Sequence, residues 1–524
     1  MKRDEMISRL EKPDDLWDII VIGGGASGLG VALEAVTRGY KTVLLEAYDF
    51  AKGTSGRSTK LVHGGVRYLA QGNIRLVMSA LRERGLLRKN APHLVKDLPF
   101  VIPCYRWWEV PFYAIGLTLY DLLAGRLGIG RSLPLSKRKT IQLLPAIKKQ
   151  GLKGGVIYHD CQFDDARLAI NICQSFCEAG GVAVNYMPVI GLLKEDGVVS
   201  GVLATDRETA ANYEIRAKRV VNATGIFVNE VVKMDDPGKR DLVVPSQGIH
   251  LVTDPEFLNG KDALMIPKTP DGRVLFAIPW HNRVVIGTTD VEKDDIEIEP
   301  HPTEEEIDYI LETAGRYFED PPDRKDILSV FAGLRPLAAP AGEGKKTKEI
   351  SRGHKLHRSG SGLLTITGGK WTIFREMGED VVNDLEKSGG WKRTRSVTGK
   401  TKIHGFTENT DPYSLSGWYG SDETLLETIK NESGQNKKII SDKLGISRAQ
   451  VLLAVRHEMA RTVEDVLARR TRALQMDAAE SIRMAPEVAG IMAAETGKEG
   501  EWVERQIREY KELAEGYLIG NPKP

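Results

Sequence analysis

Short β-branched runs alternate with amphipathic stretches through the first half of the chain, which predicts an α/β fold. Asp18 to Gly23 (DIIVIG) reads as a strand that enters the glycines Gly23, Gly24, Gly25 and Gly28. An amphipathic helix follows from about Ser27 to Arg38 and stops at Gly39, and Lys41 to Glu46 (KTVLLE) makes the next strand. Further strands are predicted at 155–158, 183–186, 198–204 and 219–222, with a helix at 166–179 between the first two. From Leu242 to Asp290 the pattern turns to β-rich alternation, with Asp271-Gly272 and His281-Asn282 marking turns. After Gly389 the chain is polar and irregular through Tyr419, then helical from Asp422 almost to its end. The stretch 341–348, rich in Gly and Lys, reads as one exposed loop.

The 524 residues suggest roughly three structural units at about 150 residues each. A formal charge of +1 supplies no global field to draw the chain onto nucleic acid, and none is expected as a partner. Cys104, Cys161, Cys173 and Cys177 include no C-x-x-C pair; Cys173 and Cys177, one helical turn apart, read as reduced thiols, and no metal site is expected. The charged opening MKRDEMISRLEKPDDLWD has no apolar signal region, so the protein is expected in the cytoplasm. The longest apolar stretch, 110–130, is interrupted by Asp121, Arg126 and four glycines, too often for a bilayer span.

Gly23-x-Gly25-x-x-Gly28 gains meaning from its context: it follows a strand, opens a helix and is answered by Glu46 at the end of the next strand. Gly23 permits the turn, Gly25 lets amides approach a pyrophosphate at the positive helix end, and Gly28 lets helix and strand pack closely. Glu46 can accept hydrogen bonds from ribose hydroxyls. The dinucleotide could be NAD or FAD. Two more strand ends run into small residues, at Ala223-Thr224-Gly225 and at Gly368-Gly369-Lys370, a third contact segment that a simple NAD domain would not need.

Six segments carry a resemblance: IGGGASGLGVALEAVTRG, RSTKLVHGGVRYL, IGTTD, GLRPL, GGKWTIFRE and the helical RHEMARTVEDVLARRTR. Together, in order and over nearly the whole chain, they resemble the FAD-dependent, quinone-linked glycerol-3-phosphate dehydrogenase family. Glu34, Phe374 and Gly378 depart from that family's usual Asp, Tyr and Ala. The resemblance implies a Rossmann-like FAD-binding α/β domain with an inserted β-rich substrate domain and an α-helical C-terminal domain. Its FAD-binding parts would cover 15–100, 150–241 and 349–390, its substrate parts 101–149 and 242–348, and its C-terminal domain 391–524. It implies FAD contacts from Gly23, Gly25, Ala26, Ser27, Gly28, Glu46, Thr54, Ser55, Ser58, Thr59, Lys60, Leu61, Val189, Ala223, Thr224, Gly225, Gly369 and Lys370.

The same resemblance brings Arg67, Arg335, Arg352 and Lys370 to the flavin face, where a phosphate dianion suits an arginine fork and a lysine point charge. Arg335, inside FAGLRPLAAP, needs a partner or ligand to justify its place. It is expected to anchor substrate and stabilise a developing alkoxide, with Tyr68, Thr289 and Asp290 completing the pocket. Histidine is the side chain whose ordinary pKa lies near neutrality, which makes His63 and His250 the candidate bases. The implied reaction is oxidation of glycerol 3-phosphate to dihydroxyacetone phosphate with electrons passed to membrane quinone. An oxygen-reducing glycerophosphate oxidase and a flavin-binding membrane protein without turnover are the alternatives. Trp107, Trp108, Phe112 and Tyr113 before Ile115 to Leu127, with Lys137-Arg138-Lys139 after, suit either an interfacial helix on the inner face of the cell membrane or a helix covering the pocket. A homodimer is a further expected assembly.

Overall fold

The computed structural model describes residues 1–11, 16–70, 72–269, 273–339, 353–408 and 417–520, without the side chains of residues 67 and 70. Trp17–Ile22 is the central strand of a mostly parallel sheet, flanked by Thr42–Leu45 and Asn212–Asn222. Val182–Val184 and Leu364–Thr367 extend it, and Lys355–Arg358 closes one edge antiparallel. These strands read as continuous apolar runs because both sheet faces are covered, and Ile19, Ile20, Val21, Val43 and Leu44 are fully buried. Helix Ala26–Thr37 packs between Asp165–Glu178 and Phe374–Gly389. A Cβ on Gly378 would come within 2.3 Å of the Gly30 carbonyl, so these helices cross backbone to backbone where the family's usual alanine would force them apart.

The second sheet holds ten strands, with Val243–Thr253 paired along its length to Ile327–Ala338. Side chains on a strand alternate between faces, so Gly248 and His250, with Gly333 and Arg335 opposite, share one face. Ile249, Leu251, Val330 and Ala332 point the other way into an apolar core. The hairpin Leu275–Trp280 to Arg283–Gly287 turns at His281 and Asn282, both at positive φ (51° and 55°), as a two-residue turn matched to strand twist requires. Asp271-Gly272 and the 341–348 loop lie outside the described residues.

Two expectations shift. Val95–Cys104 and Gly154–Phe163 pair along ten residues within the second sheet, so the expected limits at 100 and 150 fall inside or beside strands of the β-rich layer. The C-terminal helices Glu423–Glu432, Arg448–His457, Ala478–Thr496 and Gly500–Glu515 are interrupted by a small hairpin, Ile439–Ser441 with Ile446–Ser447. They enclose their own core of Leu426, Leu452, Leu467, Val488 and Tyr510. Cys104, Cys161 and Cys173 are buried, Cys177 is partly so, and all four are free thiols.

Candidate active site

A cavity of about 490 Å³ runs from the C-terminal ends of the parallel strands to the inner face of the second sheet. At its first end, helix Ala26–Thr37 starts from Gly25 with no side-chain cap, and Gly25, Ala26 and Ser27 line the wall. The Ala26 amide donates to Ser55 Oγ at 2.9 Å. Glu46 accepts from the Gly24 amide at 2.6 Å and the Tyr48 amide at 2.8 Å. Burial raises its pKa and those two amides oppose the rise. A carboxylate has about four acceptor sites, so capacity for ribose hydroxyls remains. Gly28 is not in the wall: a Cβ there would lie 1.8 Å from the Gly23 carbonyl, which is the close strand–helix packing its position predicts.

Thr54, Ser55, Ser58, Thr59, Leu61, Val189, Ala223, Thr224, Gly225, Gly369 and Lys370 all line the same cavity, with Gly23 and Glu46. Lys60 does not, which corrects the expectation that its ammonium faces the cofactor. Its Nζ is fully buried behind the loop, 2.9 and 2.8 Å from the two Asp165 carboxylate oxygens and 3.0 Å from the Gly56 carbonyl. Burial, with Arg472 nearby, pulls its pKa down to about 7 against the opposing pull of Asp165. Ser58 also turns its hydroxyl to Asp165, at 2.7 Å.

His63, His250, Arg335 and Lys370 line the same cavity. Arg335 is aimed by the protein itself: it donates to the Gln247 and Thr289 carbonyls at 3.2 and 3.0 Å, to Thr288 Oγ1 at 3.1 Å and to Asp290 at 3.4 Å. Asp290 also accepts from Ser246 Oγ. It is therefore the counter-ion of Arg335, and no wall residue of the cavity. Thr289 is likewise corrected: buried, it donates to Glu306 and accepts from the Ile249 amide, a structural contact behind the wall. Lys370 Nζ sits over the Tyr68 ring at 4.5 Å, so Tyr68 supports the lysine from outside the cavity wall. Arg67 lies on the short helix Val66–Ala70. Arg352 lies outside the described residues.

His250 stacks on Phe331 with ring centroids 4.8 Å apart, and Nε2 meets Thr59 Oγ1 at 2.9 Å. Burial first, then the cations Lys60 and Arg335, push its pKa well below the ordinary value. It is neutral at pH 7. His63 is half-buried, with its backbone amide and carbonyl both held by the Thr372 hydroxyl. Arg207, which stacks on Tyr48 at 4.2 Å, and Trp371, whose Nε1 donates to the Ser55 carbonyl at 2.8 Å, also line the cavity. Neither carries a local signal in the sequence beyond Trp371's place after Gly369-Lys370.

Residues 18–375 match the family model described as FAD dependent oxidoreductase, and residues 366–503 match that of the C-terminal domain of alpha-glycerophosphate oxidase. With the uncapped helix, the acceptor carboxylate and the three glycine-bearing strand ends on one cavity, the chain is an FAD-dependent oxidoreductase and its residues fit that cofactor. It is 35% identical to the mitochondrial glycerol-3-phosphate dehydrogenase of Schizosaccharomyces pombe over 97% of this chain and 88% of that one. The human mitochondrial enzyme is 36% identical over 96% of this chain and 73% of its own. A glycerol-3-phosphate dehydrogenase structure from Bacillus halodurans, complexed with FAD, superposes with TM-score 0.81 at 29% identity, covering 100% and 99% of the two chains. The protein belongs to the FAD-dependent glycerol-3-phosphate dehydrogenase family. A glycerophosphate oxidase from Mycoplasma pneumoniae shares the fold at TM-score 0.57 and 16% identity over 74% of this chain and 98% of its own.

Proposed function

We propose that this protein oxidises sn-glycerol 3-phosphate to dihydroxyacetone phosphate and passes the electrons to a membrane quinone. The observation that carries this reading is that Arg335, Lys370 and two histidines line the cavity that also holds the dinucleotide cradle. Bound FAD supplies the hydride acceptor. Arg335 and Lys370 grip the phosphate, and the fixed fork of Arg335 also faces the oxygen that gains charge as its hydroxyl proton leaves. The substrate hydroxyl proton must leave in the same step. Taking it at His250 would place an imidazolium, buried, beside Lys60 and Arg335, so we assign the proton to His63 and a positioning hydrogen bond to His250.

Reaching quinone requires the bilayer, and no described helix is long and apolar enough to cross one. Helix Glu109–Ala124 instead presents Trp108, Phe112, Ile115, Leu119 and Leu122 outward at three- and four-residue spacing, with Phe112, Ile115 and Leu122 exposed at 61, 73 and 72%. Its inner face buries Leu117, Tyr120 and Ala124. The exposed Lys137, Arg138 and Lys139 begin the next helix. This is a surface for peripheral attachment to an anionic membrane face. The test is anaerobic mixing of purified holoprotein with sn-glycerol 3-phosphate. Flavin absorbance should bleach and return faster with a soluble quinone analogue than with air. No bleaching overturns the proposal, and faster return in air with stoichiometric peroxide makes the protein an oxidase.

A further inference from the structure

We propose that Arg472 and Gln475, in the C-terminal helical part, are positioning residues for the cofactor: they fix the loop 49–60 in the shape that meets FAD. The proposal rests on reading the cavity as the FAD site. One face of this loop, including Gly53, Thr54, Ser55 and Thr59, lines the cavity. Its other face is tied down by side chains more than 400 residues away in the chain. Arg472, fully buried, donates to the Gly56 carbonyl at 3.2 Å, to Asp165 at 2.7 Å and to Gln475 Oε1 at 2.7 Å. Gln475 Nε2 donates to the same Gly56 carbonyl at 3.0 Å. At the loop's start, Asp49 accepts from Arg470 at 3.0 Å, and Arg470 also donates to the Glu458 carbonyl at 2.7 Å.

Three features make this more than glue between two parts. Asp165, which Arg472 neutralises, is also the acceptor for the Ser58 amide, the Ser58 hydroxyl and Lys60, so the guanidinium sets the charge on which the loop's last residues hang. Arg472 adopts a left-handed backbone, φ 64°, a conformation disfavoured for a residue with a Cβ and kept here by hydrogen bonds to the Ala468 and Gly56 carbonyls, Asp165 and Gln475 and by an ion pair with Asp164. Ser55, between the tied points, receives the amide that opens the cradle helix, so a shift of Gly56 is passed to the pyrophosphate end of the cavity. The buried cations lie behind the loop while the cofactor lies in front, which leaves them no direct contact with it.

The test compares apoprotein and holoprotein of Arg472→Lys and Gln475→Leu, with Arg456→Met as control. Arg456 holds Glu432 and Glu495 inside the C-terminal part, and none of the three lines the cavity. FAD affinity is measured by titrating the apoprotein, and flavin geometry by visible circular dichroism of the holoprotein. Each of the two variants should weaken FAD binding at least about fivefold, the worth of one hydrogen bond, and alter the dichroism. Arg456→Met should lower the melting temperature of the apoprotein while leaving affinity and dichroism unchanged. Wild-type affinity and dichroism in folded Gln475→Leu overturn the proposal, and that variant decides alone if Arg472→Lys fails to fold. Gly25→Val separates this outcome from failure of the cavity reading: if it retains FAD, the cradle itself is misplaced.

Discussion

Replacing Arg335 should damage the chemical step more than binding, and the structure says by how much. Its guanidinium spans two backbone carbonyls, a hydroxyl and Asp290. Arg335→Met would strand those carbonyls and strip Asp290 of its guanidinium partner, at about 1–3 kcal/mol for each unsatisfied group. That variant loses stability as well as activity. Arg335→Lys keeps a cation beside Asp290 and isolates the loss of the planar fork. Removing one donor aimed at a developing oxyanion costs about 2.7–4 kcal/mol, roughly a hundred- to a thousandfold in rate. Rapid anaerobic mixing with sn-glycerol 3-phosphate over a range of concentrations separates the limiting rate of flavin bleaching from the half-saturation constant. For Arg335→Lys the limiting rate should fall about a hundredfold or more with flavin content near wild type, because Arg335 lies on the second sheet, outside the three glycine-bearing segments of the dinucleotide cradle. A limiting rate within about threefold of wild type, with only half-saturation raised, would reduce Arg335 to a ground-state anchor and refute its role toward the reacting oxygen.

Lys370→Met should lower kcat/KM for glycerol 3-phosphate by roughly ten- to a hundredfold and leave the poor turnover of glycerol unchanged; equal loss on both substrates with flavin intact would move Lys370 from phosphate to cofactor or fold. Ile115→Ser with Leu122→Ser should cut sedimentation with anionic vesicles by about tenfold or more, and Lys137, Arg138 and Lys139 all changed to Ser should weaken it mainly at low salt; vesicle binding unchanged in both refutes attachment through this face. Stability should fall as pH drops below about 6.5, the unfolded histidine value, because burial pushes His93 down to about 4, His281 to about 3 and His250 well below its ordinary range. The unfolded chain then binds protons that the folded chain refuses, at up to about 1.4 kcal/mol per pH unit for each histidine. Denaturant unfolding with the same midpoint at pH 6.5 and 5.5 would contradict that account.

The cradle was legible in sequence because its requirements are local: a buried strand, glycines where backbone must approach backbone, and a carboxylate at the next strand's end. The hairpin at His281-Asn282 was legible for the same reason. Side-chain direction in the loop was not. Lys60 and Ser58 sit among cavity residues in sequence, yet Asp165, more than 100 residues on, turns both away. Thr289 is claimed in the same way by Glu306. Nothing local in the run LARRTR marks its arginines for burial, since arginines are mostly exposed. Three of its arginines are buried because Asp49, Asp164 and Asp165 meet them, and those acids come from loops and a helix start whose pairing with residue 470 leaves no periodic trace. The ten-residue pairing of Val95–Cys104 with Gly154–Phe163 is hidden similarly, since antiparallel partners fifty residues apart share no turn.

Helix Glu109–Ala124 has a buried inner face and an exposed outer face, each of which bears on one of the two readings of this segment. Its inner face reaches the reaction end of the cavity by contact: the Tyr120 hydroxyl donates to Asp160 at 2.8 Å, and Asp160 accepts from Arg84 and, at 3.3 Å, from the Gly64 amide next to His63. Burial and the neighbouring Asp160 raise the Tyr120 pKa, so the phenol stays protonated and keeps donating. The outer face repeats the three-and-four spacing on the opposite side, which makes the helix apolar nearly all round. Such a helix needs an apolar medium on both sides. Protein supplies the inner one. For the outer one we propose a bilayer surface, which receives the aromatic and aliphatic stripe in its acyl boundary and whose anionic headgroups suit the exposed Lys137, Arg138 and Lys139 at the start of the following helix. On the proposed attachment, the inward tyrosine places the lipid contact one hydrogen-bonded carboxylate away from the loop that carries His63.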